Sequence, residues 1–469
     1  MPAQWGKITA EDMLGPTKAT LVSGRPDTVF SGLSTDSRSM KRGDLFWALK
    51  GERFDGHEFI QKAIDQGAAG AVIQRDYPGR IVDPNDPAIM AVDDSLEALG
   101  DLAGWWRRQY NVRVAAITGS AGKTTTKDMT AGILKIRNNT LVTQGNLNNL
   151  IGLPLTLFKL DGAHQKAVLE MGMNRFGEIA RLTGIAEPDV GAITNVGMAH
   201  IEGLGSIEGV ARAKVELVEK ISSKAKMVIN GDDILLMKTA APFKKDTITF
   251  GLGIDNDVYA TEVINNDHRG SYFHLHYHGE STYITLNVPG LQNIYNALAA
   301  AAICFCLGEH PKDIAQGLHS FTGVKGRFSF IHLEGGITLV DDTYNANPSS
   351  LKAALTSVAA MVNNRDSIIV GLGEMMELGN VAVMAHLEAG RMVAQLGARR
   401  FVAMGEHASQ MVKGAVESGM GRDSAVAVET HDQMVRIIRD EMREGDVIFL
   451  KGSRKMDLGK VVDGLKEQI

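Results

Sequence analysis

The residues Gly119-Ser120-Ala121-Gly122-Lys123-Thr124-Thr125 stand directly after the apolar run VRVAAIT, and their types suit an oxyanion. The glycines permit backbone N–H groups to curl around the anion, and the TTKDMTAGIL that follows can begin a helix whose N-terminus faces it. Lys123 can reach β- and γ-phosphates, and the Thr124 hydroxyl can bind Mg2+. The form is the shorter G-x-x-G-K-T, because position 117 is isoleucine where the full pattern has a glycine. It is less specific than the full motif, so the strand before it and the helix after it carry part of the weight.

A nucleoside triphosphate needs a hard cation held by oxygen ligands. Glu170 ends the strand-like run AVLEMG and should emerge at the carboxyl edge of a parallel sheet, beside the 119–124 loop. A capping or surface glutamate is the alternative, but a charge inside an apolar run is hard to bury without a partner. His200 follows a second such run, VGAITNVGMAH, and could add a nitrogen ligand; a polar loop histidine is the plainer reading. Lys214, in SIEGVARAKVELVEKI, reads by composition as a solvated helix lysine. Arg327, Asp341, Asp342, Tyr344 and Asn347 cluster near the start of the last third of the chain. Asp341 and Asp342 follow ITLV and must point to opposite sides of a strand end; the sequence leaves open which one faces a nucleotide.

The elements that must position these groups alternate between strand-like and helix-like patterns, the mark of α/β architecture. The expected organisation is three domains: a small N-terminal α/β domain over 1–110, a central P-loop ATPase domain over 111–322 and a C-terminal Rossmann-like α/β domain over 323–469. The central domain should carry a parallel sheet from VRVAAIT, KAVLEMG, VGAITNV and AKMVING, with an antiparallel patch where VYATEVI, SYFHLHYH and STYITLNV switch to period two. His274, His276 and His278 share one face of that patch and read as a solvated strand face rather than a metal site. Trp105 and Trp106 read as packing on the helix SLEALGDLAGWWRRQY, and Met375, Met376 and Met384 as core or interface filler.

The chain has 469 residues, 44% hydrophobic and 22% charged, with a formal charge of -6. That mildly acidic balance argues against nucleic acid or an anionic membrane as a partner. No apolar run reaches the roughly 18 residues needed to span a bilayer, and Met1 to Ile8 lacks a signal-peptide pattern, so a cytoplasmic location is expected. Cys304 and Cys306 lie in AAAICFCLG and read as reduced small hydrophobes.

Taken in order, TDSRSMKRGDLFWALKGERFDGHEFIQKA, GSAGKTTTKDM, TQGNLNNLIGLPLTL, LEMGMNRFGEI, TNVGMAHIEGLGSIEGVARAK, GRF, VDDTYNANPSSLKAAL, GLGEMMELG and FLKGSR resemble the Mur ligases, the ATP-dependent amino-acid-adding enzymes of bacterial cell-wall synthesis. The resemblance covers nearly the whole chain and is nearest to the dipeptide-adding type. It implies ATP as cofactor with two Mg2+ ions, and UDP-N-acetylmuramoyl-tripeptide and D-alanyl-D-alanine as substrates. It also implies an acyl-phosphate intermediate and a monomer in the bacterial cytoplasm, working in peptidoglycan precursor synthesis.

The resemblance assigns roles as well. Lys123 and Thr124, with Gly119, Ser120, Ala121, Gly122 and Thr125, hold phosphate and Mg2+. Glu170 and His200 are cation ligands, and Lys214 matches a lysine that is commonly carbamylated to support the second ion. Lys123, Glu170, His200 and Lys214 form the catalytic set. Asn293 stands near the adenine, while Arg327 and Asp342 close over the nucleotide. Asp36, Ser37 and Arg38 face the UDP end, and Asn146, Asn148 and Asn149 the sugar-peptide. Tyr344, Asn347, Lys451 and Ser453 belong to the substrate-binding set, with the KGS segment turned to the incoming dipeptide.

Departures from the family pattern are mild. Gln292 stands where relatives carry histidine, and Glu374 where aspartate is usual. The enzyme adding the third amino acid is an alternative, but its Asp-Asn-Pro-Arg segment is missing and TYNANP is the dipeptide-adding pattern. A folate-polyglutamate-type ligase fits the architecture but not the N-terminal DSR-to-DGHEF stretch. A non-catalytic ATP switch would have no use for Glu170, His200, Lys214 and the C-terminal acids together.

Overall fold

The computed structural model describes residues 4–51, 54–77, 79, 86–266, 270–362 and 364–467. Met1 to Ala3, at the start of the N-terminal stretch, and Glu52 and Arg53, within the DSR-to-DGHEF stretch, lie outside them. The strands form three sheets, and the chain divides into two compact units: Met1–Val114, Asn138–Met171 and Ala180–Pro188 in one, Ala115–Arg137, Gly172–Ile179 and Asp189–Ile469 in the other.

In the first unit a five-stranded sheet has the order Thr20–Ser23, Ala88–Val92, Gly70–Gln74, Leu45–Trp47, Leu33–Ser34. Only the pairing of the first two is antiparallel. Alternate strand residues Phe46, Ala48, Ala71, Ile73, Ile89 and Ala91 meet Ile60, Ala63 and Ile64 of the following helix in one core. The helix Ser95–Arg108 starts where Asp94 Oδ1 accepts from the N–H groups of Leu96 and Glu97, at 2.8 Å each, an N-cap that satisfies two orphan donors. Trp106 is buried, stacked on Trp5 at 4.7 Å, and donates its indole N–H to Leu160 O. It therefore packs, as expected. Thr140–Val142 and Lys166–Glu170 pair in parallel in the same unit.

The second unit carries two sheet systems. In one, Ala115–Thr118 pairs in parallel with Val190–Ile193, followed by Lys226–Asn230, Thr247–Gly251 and Val258–Asn266. Gly270–Tyr277 and Glu280–Leu286 then complete the antiparallel patch. Phe273 and Leu275 are buried there, while His274 and His276 are half-buried and His278 is exposed. His276 bonds Thr261 Oγ1 at 2.8 Å. His274 and His276 thus lie on the wetter face, whereas His278 falls in the turn after the strand with φ +49°, which corrects the expectation that all three share one strand face.

The other system is six-stranded: Ser329–His332 pairs antiparallel with Thr338–Asp342, and Val447–Lys451, Ile368–Gly373, Arg400–Met404 and Ala425–Val428 follow in parallel. Residues of Pro348–Met361, Ala382–Leu396 and Ala408–Glu417 share a core on one face; those of His431–Glu441 and Gly459–Lys466 share a core on the other. This is the doubly wound pattern, which gathers loops at the carboxyl ends of the parallel strands. Cys304 is buried and Cys306 half-buried, and neither is in a disulfide. Met375 is a core residue, but Met384 is 61% exposed, which corrects its reading as filler: it falls on the outer side of the Ala382–Leu396 helix. Among the described residues no helix is long and apolar enough to cross a membrane.

Candidate active site

The phosphate loop is shaped by its neighbours. Gly119 has φ +154° and a Cβ there would lie 1.9 Å from Thr194 Oγ1; Gly122 has φ +81° and a Cβ would meet Asn296 Oδ1 at 2.2 Å. Only glycine fits either place. The segment 194–197, at the end of the Val190–Ile193 strand, holds the loop. Ser120 N–H donates to Asn195 O (3.0 Å), Ala121 N–H to Asn195 Oδ1 (2.9 Å), Thr194 Oγ1 to Ala121 O (2.6 Å) and Gly197 N–H to Ser120 Oγ (2.8 Å).

Lys123 opens the helix Lys123–Leu134 and donates from Nζ to Gly119 O at 2.6 Å. Thr125 is buried in the first turn. Asn293 is buried one layer behind the loop: its Nδ2 donates to Pro289 O (2.8 Å) and its Oδ1 accepts from Asn296 Nδ2 (3.4 Å). Gln292 accepts from Ser357 Oγ through Oε1 at 2.6 Å.

Lys214 lies on the helix Ile207–Lys220 with 1% exposure. Burial, and secondarily the like charge of Lys123, hold its pKa well below the ordinary lysine range. This corrects the composition-based reading of a solvated helix lysine. The helix is amphipathic, and residue 214 falls on the same buried stripe as Val210, Ala211 and Leu217.

His200 has a left-handed backbone, φ +58°, and caps the short helix Ile201–Leu204. Its Nδ1 lies 2.6 Å from Glu377 Oε2, without the alignment of a hydrogen bond.

Residues of the six-stranded sheet reach the loop directly. Arg327 donates from Nη2 to Thr124 Oγ1 at 3.1 Å, with its guanidinium 4.0 Å from the Tyr344 ring centroid. Asn347 caps the helix Pro348–Met361 through Oδ1 and donates from Nδ2 to Ser120 O at 3.4 Å. Of the two adjacent acids, Asp341 turns to the Thr343 hydroxyl (2.6 Å). Asp342 instead pairs with Lys451 Nζ at 2.5 Å and accepts from Phe328 N–H. Burial pushes the Asp342 carboxyl up, against the pull of Lys451 and Arg327. Lys451 also donates to Asn345 O at 3.0 Å, so its charge is spent inside the sheet edge. Ser453, buried, accepts from Met376 N–H at 2.8 Å.

The loop 374–379 was not singled out as a site. Glu374 takes His407 Nδ1 at 2.7 Å and Glu406 N–H at 3.1 Å. His386 lies stacked on His407 at 4.6 Å. Glu374, His386 and His407 bring ligand-type atoms within 4.8 Å of one another. However, His386 Nε2 accepts from Met375 N–H at 2.9 Å, which puts its proton on Nδ1 facing Ala382 O. With both nitrogens engaged, the cluster is a hydrogen-bonded scaffold for the loop. Asn195, Asn296 and Glu377 were also missed; Asn195 and Glu377 follow apolar strands, which was an available signal, whereas Asn296 lies inside the helix Leu291–Cys306.

The remaining expected residues lie in the first unit. Glu170, at the end of Lys166–Glu170, is 2% exposed; its Oε1 accepts from Asn148 Nδ2 at 2.8 Å and its N–H donates to Thr143 Oγ1. Asn149 Oδ1 accepts from Gly152 N–H at the head of the next helix, and Asn146 is exposed. Asp36 receives Arg38 through Nε and Nη2 at 2.9 and 2.8 Å. Those bonds hold its pKa down at about 2. Ser37 between them is buried.

Residues 29–105 match the family described as Mur ligase family, catalytic domain; residues 117–304 match the Mur ligase middle domain; residues 326–454 match the Mur ligase, glutamate ligase domain. The UDP-N-acetylmuramoyl-tripeptide–D-alanyl-D-alanine ligase of Bacillus subtilis is 34% identical over 98% of this chain and 99% of its own length. The chain belongs to the Mur ligase family. Among solved structures, this Mur ligase is similar to MurF from Acinetobacter baumannii (TM-score 0.88, 33% identity, 98% of this chain and 99% of that one). It is also similar to the MurF ligase of Thermotoga maritima in complex with ADP (TM-score 0.82, 27% identity, 92% and 96%). The three-domain α/β fold expected from the resemblance is the fold of this family.

Proposed function

We propose that this Mur ligase uses ATP to join D-alanyl-D-alanine to UDP-N-acetylmuramoyl-tripeptide in peptidoglycan precursor synthesis. The observation that carries the reading is its similarity, from end to end, to a relative named for that reaction. The domains are taken as 1–110 for the UDP-muramoyl substrate, 111–322 for ATP and 323–469 for ligation. It is taken to act as a monomer in the bacterial cytoplasm.

In this reading the tripeptide's terminal carboxylate attacks the γ-phosphorus, the bond to the β-phosphate oxygen breaks, and an acyl phosphate and ADP form. The free amine of D-alanyl-D-alanine then attacks the acyl carbon and phosphate leaves. Lys123 screens the meeting of two anions from the head of its helix, whose N-terminal dipole favours the same negative charge. Arg327 and Asn347 already contact Thr124 and Ser120, which supports a role for the C-terminal part in sealing the nucleotide from water. Asp342 keeps Lys451 in place, and with Tyr344 and Ser453 it shapes the edge offered to the dipeptide. Asn293 backs the loop near the adenine. Asp36, Ser37 and Arg38 serve the UDP end, and Asn146, Asn148 and Asn149 the sugar-peptide.

In the second unit the Thr124 hydroxyl, the His200 ring and Lys214 are donor types that suit Mg2+, and the family resemblance adds the Glu170 carboxylate as a further ligand. A buried amine held neutral reacts with CO2 to give a carbamate, which supplies the carboxylate-like oxygens a hard cation prefers. Two Mg2+ ions bound there would offset phosphate charge and favour in-line transfer.

The test is phosphate release and product formation with UDP-N-acetylmuramoyl-tripeptide and each of three acceptors. D-alanyl-D-alanine should give both; no product there, with diaminopimelate or lysine joined instead to UDP-N-acetylmuramoyl-dipeptide, would reassign the enzyme to the third-residue step.

A further inference from the structure

Between the Ile368–Gly373 strand and the Ala382–Leu396 helix, the loop 374–379 is fixed at successive backbone positions: Met375 N–H on His386, Met376 N–H on Ser453, and Glu377 O accepting from Glu202 N–H at 3.1 Å. Gly379 sits against Glu202, where a Cβ would come 3.3 Å from its Cα. Glu377 itself has φ +64°, an uncommon backbone for a side chain of this size that persists where the surroundings over-determine it. The outcome of this anchoring is that a carboxylate of the C-terminal sheet stands 2.6 Å from Nδ1 of His200, whose backbone is likewise left-handed. Among the described residues no protein group bonds His200 Nε2.

We propose that Glu377 is a positioning residue for His200: reaching over from the C-terminal sheet, its carboxylate stands 2.6 Å from Nδ1 and, turned into line as a divalent cation binds, accepts the Nδ1 proton in a hydrogen bond, so that Nε2 is presented to the cation. Carboxylates that orient a metal-bound histidine in this way fix its tautomer and raise its basicity. The inference rests on the reading of His200 as a cation ligand. It adds that the ligand is completed only when the C-terminal part is in place, so cation binding and the apposition of these two parts assist one another.

The test is Mn2+ binding to the full chain with β,γ-methylene-ATP, followed by electron paramagnetic resonance of free Mn2+. Two binding classes are expected. E377A should weaken one class about tenfold and leave the other unchanged, while E377Q, which retains an acceptor oxygen, should stay within about threefold of wild type. Identical affinities in wild type and E377A overturn the proposal, as does equal weakening of both classes or an E377Q as weak as E377A. H200A separates the two ideas. If it leaves both classes unchanged, the reading of His200 itself is wrong; if it weakens one class and E377A does not, only the role of Glu377 falls.

Discussion

Lys214 and Lys451 are both lysines with 2% exposure or less, and they sit in opposite electrostatic circumstances. Lys451, at the end of a C-terminal strand, has Asp342 at 2.5 Å and a backbone carbonyl at 3.0 Å. Lys214, inside the middle helix, has burial and the like charge of Lys123 acting on it. A buried charge is tolerated when it is paired and hydrogen-bonded, and otherwise the group neutralises. Lys451 is thus one half of a buried ion pair, whereas burial and the charge of Lys123 push Lys214 towards its uncharged form, the form that the proposed carbamylation requires. The same residue type at the same burial has been given two chemistries by its neighbours.

Substitutions can sharpen or break that contrast. The largest effect should come from the third lysine of the region: Lys123→Ala is expected to cut substrate-dependent ADP formation about a thousandfold or more, the scale of losing an electrostatic donor. Near-normal phosphate release that still needs both substrates would remove Lys123 from its role. Lys214→Leu should abolish turnover to a similar degree while the fold holds, and a carbamate signal from 13C-bicarbonate NMR should be present in wild type and absent from the variant. A carbamate signal that survives in K214L would place the modification elsewhere.

Lys451→Met should act through stability instead, costing about 3–5 kcal/mol because Asp342 is left buried and uncompensated. Pairing it with Asp342→Asn should recover much of that in urea unfolding, and failure to recover would mean the pair is not self-contained.

A smaller and graded effect concerns pH. In carbonate-free protein the folded pKa of Lys214 lies below its unfolded value, so the unfolded chain binds more protons until pH exceeds about 10.5. Stability should thus rise with pH between the folded pKa and that limit, and K214L should lose this slope. Smallest of all, Arg38→Ala should raise KM for the UDP-substrate about tenfold, with kcat little changed. A large fall in kcat at unchanged KM would argue against substrate binding by that exposed pair.

The parts that could be read from the chain are those governed by local rules. The strand VRVAAIT, the glycines at 119 and 122, and the helix after them follow from apolar run, turn and N-terminus. So do the period-two patch at 258–286 and the alternation at the C-terminal end. Trp106 in the core and the half-wet histidine face follow from the same periodicities. Lys214 escaped because a lysine in an amphipathic helix is normally the solvated residue; only the family resemblance flagged it. Glu377 escaped because nothing local distinguishes it from the Glu374 three residues earlier.

What the sequence by itself determined was the elements, the phosphate-binding loop and the family, since these rest on short-range patterns and ordered motifs. Only the tertiary structure decided that Asp342 rather than Asp341 meets Lys451, that Asn195 and Asn296 shape the loop, and that Glu377 stands beside His200. Those are contacts between residues from 74 to 177 positions apart. Charge pairing and close approach depend on distance in space, which a one-dimensional pattern of residue types does not encode.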